Sequence, residues 1–432
     1  MTLRPAGGSL AAAVADVLPL RALRYDLRAV GSLDAVAAPP YDVIDDAARA
    51  ALVARSPFNV VEIDLPRANG GDPYLQAETT FEAWRQQGVV VKEREPTVWP
   101  IEQEFEDPAG DRHVRRAFLA RVRVEDYGPG RIRPHERTQP GPKEDRLRLT
   151  RATRTNLSPI FSLFPDPSGA VAEALGPATA GDPFGSYTDA EGAVTRVWRC
   201  ADEAAIEAVR AAVADAELLI ADGHHRYETA RVYAEEVGGE GEHRYTLMCL
   251  CATSDPGLTV LPTHRLLTNV DDARREALRA AIERDFEARP VEIGEIEPPA
   301  GGERVELGYL DAFHRRPLRL TLRDPATADA ALPDRSPAYR RLDTALLEAI
   351  VLRGALGMSE DDIARQDGVG YAKKTADAVA AVESGAADAA FFMRPTPVET
   401  VREVAEAGES MPPKSTFFHP KIPTGLVFNP LE

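Results

Sequence analysis

Ala216–Val237 reads AELLIADGHHRYETARVYAEEV, and its pattern decides the fold class. Ala216–Ile220 is a short apolar run closing on a small-residue turn, Ala221-Asp222-Gly223. From Arg226 onward Tyr227, Ala230, Ala234 and Val237 recur at three- and four-residue steps, the period of an amphipathic helix. The reading is a buried strand, a tight turn and a helix, which places the chain among α/β (α+β) proteins. Two histidines and an arginine sit where the helix begins. The first turn of a helix offers unpaired N–H groups and a partial positive charge, and so attracts anions. Gly223 allows a ligand close to the backbone, and Arg226 is suited to grip phosphate or carboxylate with two parallel hydrogen bonds. The plain alternative is a core strand feeding a helix with surface histidines. Asp-Gly-His-His-Arg carries too much chemistry in five residues for that alternative to be preferred.

Composition narrows the function. At 432 residues the chain has room for two or three domains, and 44% hydrophobic residues supply ample core. It carries 69 Asp and Glu against 51 Lys and Arg, a formal charge of −18, which argues against a general nucleic-acid binder. A local basic pocket for a small anion is still compatible with that balance. The three cysteines are Cys200, Cys249 and Cys251, the last two at alternate positions of a buried apolar run. They form neither a disulfide framework nor a zinc knuckle, so a reducing cytoplasm is expected. The apolar run Leu10–Leu20 is Ala-rich and broken by Asp16 and Pro19, and no stretch is long enough to span a membrane.

Four segments are expected. Residues 1–130 read as an N-terminal α/β region. Within it, Asp45 or Asp46 is placed to cap a helix, Asn59–Leu65 alternates like a strand, and Ala77–Gln87 has helical spacing. Pro39-Pro40-Tyr41-Asp42 is a rigid loop or a pocket wall. Thr97–Glu106 and Arg115–Val124 form a hairpin, and Pro100 suggests that its first strand lies at an edge. Residues 131–267 form a phosphate-binding core around the quoted stretch. Residues 268–410 read as a second α/β domain, with helices at Asp271–Asp285, Asp343–Leu356, Gly370–Glu383 and Val398–Ala407 and strands at Val305–Asp311, Leu318–Leu322 and Ala389–Met393. The tail 411–432 is too apolar to be free and is expected to pack back on the body.

Chemistry-bearing residues recur outside the central turn. Arg131–Leu163 is the one markedly basic region, and it holds Pro134-His135-Glu136 and Gly141-Pro142-Lys143. Arginines on a solvated helix face explain the charge but not a His-Glu pair just before Gly-Pro-Lys. Glu136 is a candidate general base, and Lys143 a candidate phosphate contact. Thr263-His264-Arg265 either lines a pocket or caps a strand end. In the tail, Lys414, Ser415, Thr416 and His419 are suited to phosphate or a small polar substrate, with docking for stability as the competing role.

These pieces carry a resemblance. Asp222-Gly223-His224-His225-Arg226 resembles the phosphate-binding motif of the ParB/sulfiredoxin superfamily, and most closely its free serine kinases, archaeal enzymes that use ADP as phosphoryl donor. Pro134-His135-Glu136 resembles the segment that bears their catalytic glutamate. Pro413-Lys414-Ser415-Thr416 with His419 resembles their C-terminal segment, and the order along the chain is the same. Over its whole length the sequence also resembles a bacterial and archaeal family known as domain of unknown function 1015. Pro-Pro-Tyr-Asp-Val, Pro-His-Glu, Ser-Pro-Ile, Asp-Gly-His-His-Arg, Leu-Pro-Thr-His-Arg and Pro-Lys-Ser-Thr recur in it. The chain departs from the small kinases in an N-terminal extension before Pro-His-Glu and a long insertion between Glu136 and Asp222.

The resemblance implies a ParB/sulfiredoxin-like core and a phosphotransferase acting on the hydroxyl of a small metabolite, in a serine/O-phosphoserine exchange. It implies ADP or ATP as donor, with the phosphates at Asp222, Gly223, His224, His225, Arg226 and Lys143, and Mg²⁺ bridging them with Asp222 as a ligand. Glu136 would take the hydroxyl proton, while His225 and Arg226 serve the transfer. His135, Thr263, His264, Arg265, Lys414, Ser415, Thr416 and His419 would face the substrate. A homodimer is the base-rate expectation, with no nucleic-acid or membrane partner. Sulfiredoxin chemistry is excluded because no cysteine adjoins Gly-His-His-Arg. A ParB-like nucleotide-binding protein without catalysis is the non-enzyme alternative. A metal hydrolase built on His135, His224, His225 and His419 lacks ligand spacing. A phosphoserine phosphatase would use the same residues, since a phosphate pocket does not fix direction.

Overall fold

The computed structural model describes residues 16–432 apart from 69, 128–130, 137, 139 and 303 and the side chains of 140 and 142. The first six residues of the apolar run Leu10–Leu20 lie outside the described part. The chain forms two compact units. One comprises Met1–Pro134, Thr138–Leu258 and Pro420–Glu432; the other comprises His135–Arg137 and Thr259–His419. The four expected segments are therefore regrouped. The first two share one unit up to Leu258, the three residues around Glu136 join the other, and the tail is divided between them.

The first unit is built on a mixed sheet of nine strands. Its path runs Ile132–Arg133, Leu218–Asp222, Ile160–Phe164, Tyr245–Ala252, Arg112–Arg123, Trp99–Glu106, Val194–Val197 and Gly185–Thr188, with Val17–Leu18 on Arg112–Arg123. Leu218–Asp222 pairs parallel with Ile132–Arg133 and antiparallel with Ile160–Phe164. Leu218, Ile220 and Ala221 are all buried, as expected of a strand covered on both faces. Tyr245–Ala252 lies at the centre, and Cys249 and Cys251 on it are wholly buried free thiols, as is Cys200 nearly so. Asp45, Asp72 and Asp202 cap the helices Asp46–Arg55, Pro73–Gln86 and Glu203–Val213 by accepting from first-turn N–H groups.

Two expectations for this unit are corrected. Trp99–Glu106 is not an edge strand; it lies between Arg112–Arg123 and Val194–Val197. Pro100 removes a single donor from an inner pairing that carries on past it: its carbonyl still accepts from Trp198 N–H at 2.9 Å, and Val98 and Cys200 beyond it exchange both backbone hydrogen bonds. Asn59–Leu65 is a turn and the short helix Val61–Asp64 rather than a strand. The buried Asn59 side chain accepts from Val61 N–H and donates to the carbonyls of Ala35 and Ala37, which starts a turn where alternation suggests extension.

The second unit is an antiparallel six-stranded sheet. Its order is Phe286–Pro290, Leu318–Leu322, Glu306–Asp311, Ala389–Phe392, His264–Leu267 and Val369–Ala372. Its core gathers Leu267, Leu307, Leu320, Leu346, Val351 and Phe391 between this sheet and its helices. The expected helix Gly370–Glu383 splits, because Val369–Ala372 pairs with His264–Leu267 and the helix begins only at Thr375. The expected helix Asp343–Leu356 widens into a π-helix over Leu347–Ala355.

The tail packs on both units through different residues. In the second, Phe417–His419 pairs antiparallel with Thr259–Leu261. In the first, Phe428 is buried with its ring edge-on to Tyr25 and Phe81 at 5.6 Å each, and Asn429–Pro430 pairs with Thr155–Asn156. Thr424 exchanges backbone hydrogen bonds with Ala38, beside Pro39-Pro40.

Candidate functional site

The strand Leu218–Asp222 ends in a register shift between Ile220 and Asp222, which re-aims the terminal carboxylate. Gly223 follows at φ 95°, a left-handed conformation, and the helix His224–Val237 starts on it. A Cβ at Gly223 would sit 2.9 Å from Arg226 Nε, so only glycine allows the turn and the arginine together. The sequence placed the helix start at Arg226; it comes two residues earlier, at His224.

Asp222 is the hub of the turn. Arg226 Nη2 donates to its Oδ2 at 2.5 Å, and Lys421 Nζ donates to its Oδ1. Burial pushes the carboxyl up, and the Lys421 ammonium and Arg226 guanidinium more than offset this, holding it well below the usual carboxylate range. Arg226 also donates through Nη1 to Ser158 Oγ at 3.0 Å and to the Pro159 carbonyl. Its fork is thus committed to Asp222 and to the Ser158-Pro159 segment, and not left open for a bidentate grip on a ligand. The side chains of Asp222 and Lys421 remain 16% and 17% exposed. His224 is buried beside this turn and His225 half-buried. Lys143, on the helix Pro140–Thr153, accepts at its carbonyl from Thr229 Oγ1 at 3.5 Å.

Behind Arg226 lies a cavity of about 40 Å³ lined by Tyr41, Asp64, Arg146, Asn156 and Ser158. It has the room of a few waters and not of a metabolite. Arg146 donates to the Asp64 carbonyl at 2.7 Å and lies 4.1 Å from the Tyr41 ring centroid. The Pro-Pro-Tyr-Asp segment therefore supplies a cavity wall through Tyr41.

The Mg²⁺ expectation is not supported by this arrangement. Both oxygens of Asp222 are taken by cations, and among the described residues no group of three or more His, Cys, Asp or Glu is placed to hold a metal.

The remaining predicted residues belong to the second unit. His135 is buried, with Nε2 3.0 Å from Thr416 Oγ1, and its carbonyl accepts from Met411 N–H at 2.7 Å. Glu136 is half-buried and bridges to Met411 through the backbone. Ser415 is buried, donates to the Pro412 carbonyl at 2.7 Å and meets Thr344 Oγ1 at 3.0 Å. Arg265 donates to the carbonyls of Thr263 and Pro413 and lies over the Tyr371 ring at 5.2 Å. His264 is fully buried; its Nδ1 accepts from Met393 N–H at 3.1 Å and its Nε2 faces Thr375 Oγ1 at 3.1 Å. Burial and the neighbouring Arg265 pull its pKa down to about 4. His264 and Arg265 thus have their polar atoms committed inside the fold. Lys414 is exposed at φ 56°, and His419 is buried on the paired strand.

Lys421 is the site residue that the sequence reading missed. Its signal is a lone lysine between two prolines, Pro420 and Pro423, in an apolar tail.

No curated protein matches the sequence. Similar solved structures include a conserved hypothetical protein from Pyrococcus furiosus, at 16% identity over 71% of this chain and 93% of that one, with a TM-score of 0.38. A free serine kinase in complex with AMP matches at 13% identity over 71% and 92%, with a TM-score of 0.37. SbnI with a C-terminal truncation, from Staphylococcus aureus, matches at 10% identity over 70% and 84%, with a TM-score of 0.35. No helix among the described residues is long and apolar enough to cross a membrane. The model of a protein family of unknown function, DUF1015, matches residues 17–345, and the chain, a mixed α/β protein, belongs to that family.

Proposed function

We propose that the chain is a phosphotransferase acting on the hydroxyl of a small metabolite, with a nucleotide as donor and a serine/O-phosphoserine exchange as its reaction. The observation that carries the reading is the turn at Asp222–Arg226, where a left-handed glycine, a helix start and two cations on one carboxylate converge. Such a turn suits a phosphoryl group: backbone N–H groups meet its oxygens and Lys421 offsets its charge. The motif resemblance supplies the reaction class and the donor. In the transfer, the acceptor oxygen forms the new P–O bond, the bond to the donor's bridging oxygen breaks, and the hydroxyl proton passes to the Glu136 carboxylate. The roles of Glu136, Lys414 and Thr416 rest on the resemblance; the geometry that favours the reading belongs to the first unit alone.

Phosphorus NMR tests it. The full chain with Mg²⁺ in the buffer is given L-serine with ADP, ATP or pyrophosphate in turn, and separately O-phosphoserine alone, with AMP or with ADP. Phosphoserine should form or be consumed, and Glu136→Gln should abolish this while nucleotide binding by calorimetry persists. Nucleotide binding without turnover in any mixture would overturn the transferase and leave the non-catalytic binder; no binding at all would overturn both.

A further inference from the structure

His135 and Glu136 belong to a three-residue piece of chain, His135–Arg137, that joins the second unit. The tail stretch 411–416, which forms no regular helix or strand, meets this piece at two points. Met411 donates its N–H to the His135 carbonyl at 2.7 Å and forms a parallel bridge with Glu136. Thr416 Oγ1 lies 3.0 Å from Nε2 of the His135 ring, which is fully buried and edge-on to Phe418 at 6.3 Å. The bridge fixes the Glu136 backbone, and with it the direction in which the side chain leaves the chain.

The stretch is itself held by buried side chains at the carbonyls of Pro412, Pro413 and Ser415. Ser415 Oγ donates to the first at 2.7 Å, Arg265 Nη2 to the second at 3.0 Å and Thr396 Oγ1 to the third at 2.9 Å. Between them Lys414 takes φ 56°, a left-handed conformation that a residue with a Cβ disfavours. Strained backbone persists only where its surroundings over-determine it, and it gathers at sites that have to be pre-organised. Arg265 also reaches Glu136 by charge. Burial lowers the pKa of the guanidinium, and Tyr371, Glu348 and Glu136 partly offset this. The Glu136 carboxylate thus lies in the field of a buried cation whose hydrogen bonds go to the carbonyls of Thr263 and Pro413.

We propose that Arg265 and Thr416 are positioning residues of Glu136: Arg265 sets the 411–416 stretch through the Pro413 carbonyl, and the stretch sets Glu136 through Met411 and, by way of the His135 ring, through Thr416. The proposal rests on the reading of Glu136 as the base of the transfer, and it moves Thr416 from the substrate to the base. A base has to meet the hydroxyl proton at hydrogen-bond distance, so a small displacement of its backbone lowers the rate of transfer without touching the binding of donor or acceptor.

Phosphorus NMR rates on the full chain, with L-serine and the donor that gives turnover in the mixtures above, test it beside calorimetric titration with pyrophosphate. Every variant is compared below the onset of its urea unfolding. Thr416→Val should lower kcat by about tenfold to a hundredfold, with KM for serine and pyrophosphate affinity changed by less than about twofold. Thr416→Ser, which keeps the hydroxyl, should restore most of the rate. Arg265→Lys, which keeps the charge and loses the fork, should lower kcat likewise, and the double variant should lose less than the product of the two, since both act through one segment. Thr396→Val serves the same cycle if Arg265→Lys does not fold. A rise in KM with kcat unchanged makes Thr416 a substrate contact and overturns the proposal. Rates unchanged in both variants, a loss that Thr416→Ser does not restore, or a loss of pyrophosphate binding in step with the rate overturns it as well, and each of these leaves the transferase standing. No turnover by the unchanged chain overturns both.

Discussion

Each unit holds part of the C-terminal tail with a buried arginine, and the two anchors differ in what they present. In the second unit Arg265 lies over Tyr371 and donates to the Pro413 carbonyl. In the first, Arg115 lies over Phe161 and donates to the Pro420 carbonyl. The construction is alike: a delocalised guanidinium, weakly hydrated and stackable, fixes a backbone carbonyl that has no sheet partner. The stretches that they hold are not alike. After Pro413 come Ser415 and Thr416, whose hydroxyls meet Pro412, Thr344 and His135. After Pro420 comes Lys421, whose ammonium meets Asp222. One anchor closes a neutral hydroxyl network; the other closes a charged one.

The largest effect should come from breaking the charged anchor. Asp222→Asn leaves two mostly buried cations without their carboxylate and should destabilise the chain by about 3–5 kcal/mol in urea unfolding. A loss as small as that from a hydroxyl deletion would erase the contrast between the anchors.

Acid should separate the units next. His264 has a folded pKa of about 4 against an ordinary value near 6.5, so the unfolded chain binds its proton first. The stability tied to the neutral ring is therefore full above about 6.5 and is lost as pH falls toward 4, by about 3 kcal/mol. Asp222 works lower: its depressed pKa stabilises fully above about 3.9 and fades only below. Hydrogen exchange followed from pH 7 to 4 should show protection falling around 264–267 and 389–393 before it falls around 218–226. His264→Gln should remove most of that slope; an unchanged slope would assign it elsewhere.

Gly223→Ala should cost about 2 kcal/mol, from the left-handed backbone and the displaced Arg226, and should lower pyrophosphate affinity as well. The smallest effect belongs to the neutral anchor. Thr416→Val removes the hydrogen bond to His135 and should cost about 1 kcal/mol, with pyrophosphate affinity unchanged. A change in that affinity would erase the contrast between the neutral and the charged network.

The strand, glycine turn and helix at 216–237 were legible because local signals agree there: an apolar run, a residue free to take positive φ, and a helical period. The hairpin over 97–124 was legible for the same reason. Asn59–Leu65 misled because seven residues alternate by chance as readily as by design, and the deciding interaction is an asparagine side chain bonding across to Ala35 and Ala37. Pro100 misled because one missing N–H can interrupt an inner pairing without ending it, as the bonds at Trp198 and Cys200 show. His264 and Arg265 read as pocket residues because burial is invisible in composition; both proved to be committed to backbone groups or to Thr375. Lys421 escaped because its partner lies 199 residues away in the chain, and no local pattern reports a contact of that range.

The placement of the cysteines has a practical side. All three lie in the first unit, and burial raises each thiol pKa, that of Cys249 to about 12. A thiol-reactive probe attacks thiolate, and two of these groups are wholly buried on the central strand, so they should label only when that strand opens. The rate of labelling at Cys249 and Cys251 is then a clock for the opening of one unit, read against a second unit that contains no sulfhydryl to report. The protein carries, without engineering, a chemical probe that times the opening of its first unit separately from the rest.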